Sequence, residues 1–155
     1  MAEYRASILW QRASDEQYTD RKYSRAHQWQ FDGGATIEAS SSPHIVPLPY
    51  SSAEGVDPEE AFIASLSSCH MLFFLDFAAK AGWVVDSYTD HAIGVMDKDH
   101  MGMMSMSEVT LRPKVVFSTA KEPCVEQLEQ LHHQAHQHCF IANSVKTEVT
   151  TDMVL

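Results

Sequence analysis

Positive charge is scarce in this chain: eleven Lys and Arg stand against 21 Asp and Glu, a formal charge of −10 at pH 7. Such a surface repels phosphate backbones and anionic headgroups, so nucleic acid is not an expected partner. Long apolar runs are missing too, falling short of the ~20 residues of a bilayer span, and no basic leader with an apolar core opens the sequence. Neither membrane insertion nor secretion is expected, and the expected compartment is the cytoplasm. Six Gly and six Pro in 155 residues exclude collagen-like and low-complexity structure. Three cysteines, Cys69, Cys124 and Cys139, are too few and odd in number for a secreted disulfide framework. Each thiol is therefore a candidate for reactivity before structure.

What is present fits one soluble domain over residues 1–155, with 45% hydrophobic and 21% charged residues. Alternation of Tyr4, Ala6, Ile8 and Trp10 predicts a strand over 3–10. A second strand, over 22–31, carries Tyr23, Arg25, His27 and Trp29 on one face, and Asp32-Gly33-Gly34 turns the chain into Thr36–Ser40. Residues 41–55, with three prolines, read as a loop. Asp57-Pro58-Glu59-Glu60 is a helix start, with Asp57 as N-cap and Glu60 placed to close a capping box; the helix is expected to reach about Ala81 and stop at Gly82. Its residues are apolar on every face, Phe62, Leu66, Phe73 and Phe77 among them, so it must be buried, and in so small a chain a subunit interface is the expected place. Strands are expected over 86–96 and 104–117, with Met101, Met103, Met104 and Met106 read as turn and strand rather than a soft-metal site. Pro123 opens a second helix, with Val125, Leu128, Leu131 and Ala135 as its stripe, and 144–154 closes the chain as a strand. The fold class is α+β.

Cys69 lies in mid-helix, where a buried thiol normally stays protonated and inert. A reactive Cys69 needs a nearby cation, and the helix N-terminus does not supply it, because ten residues separate Glu59 from Cys69, about 15 Å of rise. Cys139 ends the second helix. Two cysteines on two helices suggest one attacking and one resolving thiol, although spacing alone does not bring them together.

The segment from Asp57-Pro58-Glu59 to Cys69 resembles the Asn-Pro-Glu…Cys motif of the OsmC/Ohr family, the osmotically induced and organic hydroperoxide resistance proteins. Cys139-Phe140-Ile141-Ala142-Asn143 resembles that family's second motif, a Cys followed four residues on by Asn. The resemblance implies two antiparallel sheets and two main helices, the central helices buried in an intertwined homodimer with active sites at its interface. It also implies thiol-dependent reduction of organic hydroperoxides, in which Cys69 is peroxidatic and Cys139 resolves through an intramolecular disulfide. No metal or other cofactor takes part; the reductant is an external dithiol, often a lipoyl-bearing protein. A motif glutamate, here Glu59, holds the arginine that keeps the thiolate charged. Arg25 is assigned that role, with Arg21 as the next choice, while His27 and His70 are read as structural. Asp57, Ser67-Ser68, His70 and Phe140 depart from the usual motif residues, which points to a divergent branch.

Two other readings stand beside this one. His132, His136 and Cys139 fall on one helical face at a spacing suited to Zn²⁺. Alternatively, Phe62, Phe73, Phe74 and Trp83 line an apolar cavity at the dimer interface that binds a lipid-like molecule without turnover. Cys124, just after Pro123, is read as an exposed bystander.

Overall fold

Alternating residues at the start of the chain form a three-stranded antiparallel meander, β1 (Ala6–Leu9), β2 (His27–Phe31) and β3 (Thr36–Ala39), in the order β1-β2-β3. The computed structural model describes residues 1–118 and 121–155, and these gather into two units, Met1–Ala61 and Phe62–Leu155. Gly34, at φ 90°, makes the β2–β3 turn in a backbone region that L side chains avoid. β2 begins at His27, later than the alternation predicts. The preceding segment is irregular because Arg21 has a positive φ and the Arg25 amide donates to the Tyr50 carbonyl. Alternation of apolar side chains is thus not sufficient for a strand.

α1 (Pro58–Lys80) starts as expected. The Glu60 amide donates to Asp57 Oδ1 at 2.8 Å, and the Asp57 amide donates to Glu60 Oε2 at 3.3 Å, a closed capping box. At the other end Gly82, φ 83°, lets its own amide reach the Ala79 carbonyl and the Trp83 amide reach that of Ala78, a Schellman stop. Only Leu66, His70, Phe74 and Ala78 are buried, a single stripe at four-residue spacing, while Leu72 is 61% exposed. Within one chain the apolar helix is therefore only partly covered. By length and composition α1 also meets the requirement for a membrane-spanning helix, contrary to the expectation that no stretch approaches it. That test does not separate it from a core helix.

Two of the expected strands are each split in the second unit. β4 (Val85–Asp90) and β5 (Ile93–Lys98) replace the first; β6 (Met104–Leu111) and β7 (Pro113–Phe117) replace the second. Pro113 lacks an amide hydrogen and restricts Arg112 before it, which breaks the long run. β4 pairs with β7, and β5 with β6, both antiparallel; β8 (Glu148–Thr151) joins β6 in parallel. Hydrogen bonding thus divides the strands into three sheets instead of two, within the α+β architecture of antiparallel sheets and two main helices. α2 (Val125–His138) begins after Cys124 rather than at Pro123, and a 3-10 turn, Ala142–Ser144, follows it.

Two apolar clusters fill this unit. One joins Phe74, Ala78, Phe117, Leu131 and Ala135; the other joins Leu66, Val109 and Leu111. Gly94 in β5 has no room for a side chain, because an added Cβ would stand 2.6 Å from Ile63 Cδ1 and 2.5 Å from Met106 Cε.

Candidate functional site

The second unit brings the two sequence-predicted sulfurs together. α1 carries Cys69 at a half-buried position, and α2 ends at His138, so that Cys139 is its C-cap with an extended backbone, ψ 110°. That change of direction turns the chain after Cys139 out of the helix. Cys139 is 1% exposed, and the Cys69 side chain is near enough to act on its thiol. Burial pushes the Cys139 thiol up to about 11; the Ala142 amide, which donates to its sulfur at 3.4 Å, opposes the shift, and Cys69 reinforces it. Cys139 is therefore a protonated thiol at neutral pH. No lysine or arginine is among the groups acting on it.

The same unit holds a second cluster that the sequence did not announce. His70 Nε2 and His132 Nδ1 are 3.0 Å apart, with rings stacked at 5.3 Å and 15°. Phe74 stacks on His132 at 4.4 Å. Burial, more than the neighbouring His136, drops His70 to about 4, against a smaller upward pull from Asp90; burial and then His70 drop His132 to about 3. Both rings are neutral at pH 7 and share one proton-mediated bond, leaving His70 Nδ1 and His132 Nε2 without partners among the described residues. The residues are 62 apart in sequence, and no local pattern links them.

The first unit builds the cationic half differently from expectation. Arg25 and Glu59 line one cavity of about 400 Å³ together with Ile8, Trp10, Tyr18 and Tyr23. Among the described residues, however, no carboxylate comes within 4.0 Å of Arg25, so Glu59 does not hold it through an ion pair. Its guanidinium carbon instead lies 3.8 Å from the Tyr23 ring centre, and Nη1 donates to the carbonyls of Arg21, at 2.7 Å, and Tyr23. Arg21 thus contributes a carbonyl, released toward Arg25 by its left-handed backbone, and it is not among the residues that line the cavity. His27 is structural as expected: Nδ1 donates to the Arg25 carbonyl at 2.7 Å, and Nε2 accepts from Trp29 Nε1 at 3.0 Å. Both bonds together select one neutral tautomer.

The two competing readings fare less well. Among the described residues no three His, Cys, Asp or Glu side chains converge to hold a metal, since His132 faces His70 and Cys139 faces Cys69. Phe62 packs against one apolar cluster, and Phe73, Phe74 and Trp83 belong to the other, a core role for these four within one chain. Cys124 is exposed, at the N-cap of α2.

The profile of the OsmC-like protein family matches residues 51–154. The chain belongs to the OsmC-like family. An OsmC-like protein of unknown function from Vibrio cholerae is 55% identical, with a TM-score of 0.98 over 99% of this chain and 100% of that one. An organic hydroperoxide resistance protein OsmC from Legionella pneumophila shares the fold at 13% identity, TM-score 0.70, over 100% of both chains. The organic hydroperoxide resistance protein OhrB of Bacillus subtilis does so at 18% identity, TM-score 0.64, over 97% of this chain and 98% of its own. Among curated proteins no match is found. As an OsmC-like protein, the chain carries its two motif cysteines where one half-buried and one buried sulfur meet.

Proposed function

We propose that this OsmC-like protein is a thiol peroxidase that reduces organic hydroperoxides. The observation that carries the reading is the contact between Cys69 and Cys139. In the reaction the Cys69 thiolate attacks one peroxide oxygen, the O–O bond breaks, and the departing alkoxide takes a proton to become the alcohol. Cys69 is left as a sulfenic acid. Cys139 then attacks that sulfur, losing its proton as water leaves, and a disulfide forms. An external dithiol, such as a lipoyl group, returns two electrons and two protons and is itself oxidised to a disulfide.

The half-buried Cys69 suits the attacking role, because a substrate can approach it, and the deeply buried, protonated Cys139 suits the waiting one. Thiolate formation at Cys69 needs a cation, and among the described residues no lysine or arginine acts on the neighbouring Cys139. We assign that cation to Arg25, with Glu59 beside it on the same cavity, in a homodimer whose interface covers the uncovered apolar residues of α1. Two structural neighbours named for organic hydroperoxide resistance support the chemistry. The direct test follows consumption of an alkyl hydroperoxide with dihydrolipoamide as reductant. Multiple turnovers that disappear in Cys69→Ser are expected; a wild-type rate equal to that of Cys69→Ser overturns the reading.

A further inference from the structure

The cavity shared by Arg25 and Glu59 has a wall of three aromatic rings. Tyr18 and Tyr23 stack at 4.6 Å and 23°, and Trp10 meets Tyr23 edge-on at 5.6 Å and Tyr18 at 6.0 Å. Two of the three rings are tied down, and Tyr18 stacks on one of them. Trp10 Nε1 donates to the Ser24 carbonyl at 2.9 Å, and the Arg25 guanidinium lies over Tyr23. The Arg25 carbonyl in turn receives His27 Nδ1. The wall is therefore set before a ligand arrives, and little ordering remains for binding to impose.

The cavity's charged groups, Arg25 and Glu59, keep spare hydrogen-bonding capacity. Arg25 uses Nη1 on carbonyls, while Nε and Nη2 have no acceptor among the described residues. Glu59 forms no ion pair there either. A pair of N–H donors beside a carboxylate acceptor matches a group with both acceptor oxygens and one O–H, which a neutral hydroperoxide head has. A volume of about 400 Å³ suits a small organic molecule.

We infer that this cavity selects hydroperoxides with a flat arene body, through Trp10, Tyr18 and Tyr23. The inference rests on the peroxidase reading for the head group alone. Aromatic faces attract the edge or offset face of another arene beyond the simple removal of apolar area from water, whereas a puckered saturated ring of the same size lacks that attraction and cannot lie as close.

The test uses inert probes, so it needs no turnover. Binding of 2-phenyl-2-propanol, the alcohol left when cumene hydroperoxide is reduced, is compared with 2-cyclohexyl-2-propanol by NMR on the indole N–H resonances. The arene should bind about tenfold tighter and move the Trp10 resonance first. In Tyr18→Leu and Tyr23→Leu the preference should fall to about twofold or less, with the Trp29 and Trp83 resonances reporting that the fold is kept. Equal affinities for the two alcohols, no binding of either, or arene binding that leaves Trp10 unmoved each overturns the inference. Arene binding in a protein that never reduces hydroperoxides would sink the peroxidase reading and leave the selectivity standing.

Discussion

The sulfur pair of Phe62–Leu155 and the arginine cavity of Met1–Ala61 follow opposite rules. In Phe62–Leu155 a half-buried Cys69 neighbours a buried Cys139 at the end of α2, with no lysine or arginine acting on Cys139 among the described residues. In Met1–Ala61 the guanidinium is held open to a cavity by an aromatic ring and two carbonyls. The first is a low-dielectric place that disfavours charge, and the second is a preorganised charge with spare donors. The difference teaches why neither half suffices: a buried thiol without a cation stays protonated, and a cation without a thiol does no redox chemistry.

The predictions probe that division in descending order of effect. Cys69→Ser should abolish hydroperoxide-driven thiol loss, whereas Cys139→Ser should still lose the Cys69 thiol but accumulate sulfenic acid, detected by dimedone labelling and mass spectrometry. Arg25→Ala should slow the first oxidation by roughly a hundredfold, the scale for losing one preorganised charge donor. Tyr23→Leu, which leaves the arginine but removes its ring support, should cost about tenfold and raise the pH at which Cys69 is alkylated by iodoacetamide. If Tyr23→Leu matches wild type in both rate and pH profile, the aromatic support of Arg25 is dispensable.

The histidine pair sets the next effect, on stability rather than rate. His70 and His132 titrate below the 6.5 of the unfolded chain, at about 4 and about 3. Between pH 6.5 and about 4 the unfolded chain therefore binds protons that the folded chain does not, so stability is full above 6.5 and falls as pH drops through that window. The loss from His70 alone is on the order of 3 kcal/mol. Urea unfolding at pH 7 and pH 4.5 measures it, and His132→Phe should flatten the dependence. Smallest, Asp57→Ala should destabilise the chain by about 1 kcal/mol through the lost N-cap, with peroxide chemistry at low urea unchanged.

How much of this was legible depended on whether the signal was local. The capping box of Asp57 and Glu60, the Gly82 stop and the meander turn at Gly34 are short-range chemistry, and the structure has each of them. Cys69 and Cys139 were visible as motif residues, but their contact is a tertiary fact. Periodicity misled at Tyr23 and Arg25, where side-chain and backbone bonds to carbonyls override an alternation that reads as strand. It misled again at His132, which the helical spacing groups with His136 and Cys139 but which bonds to His70 instead. The aromatic wall had a signal that alternation absorbed: Trp10, Tyr18 and Tyr23 fall near Arg25, a concentration of rings beside one charge. The His70–His132 pair had none.

The most direct measurement is a peptide map of the reduced protein after one equivalent of cumene hydroperoxide per chain. The account predicts a Cys69–Cys139 cross-link within one chain, with Cys124 recovered as free thiol. A disulfide through Cys124 instead, or all three thiols intact while peroxide persists, would contradict it.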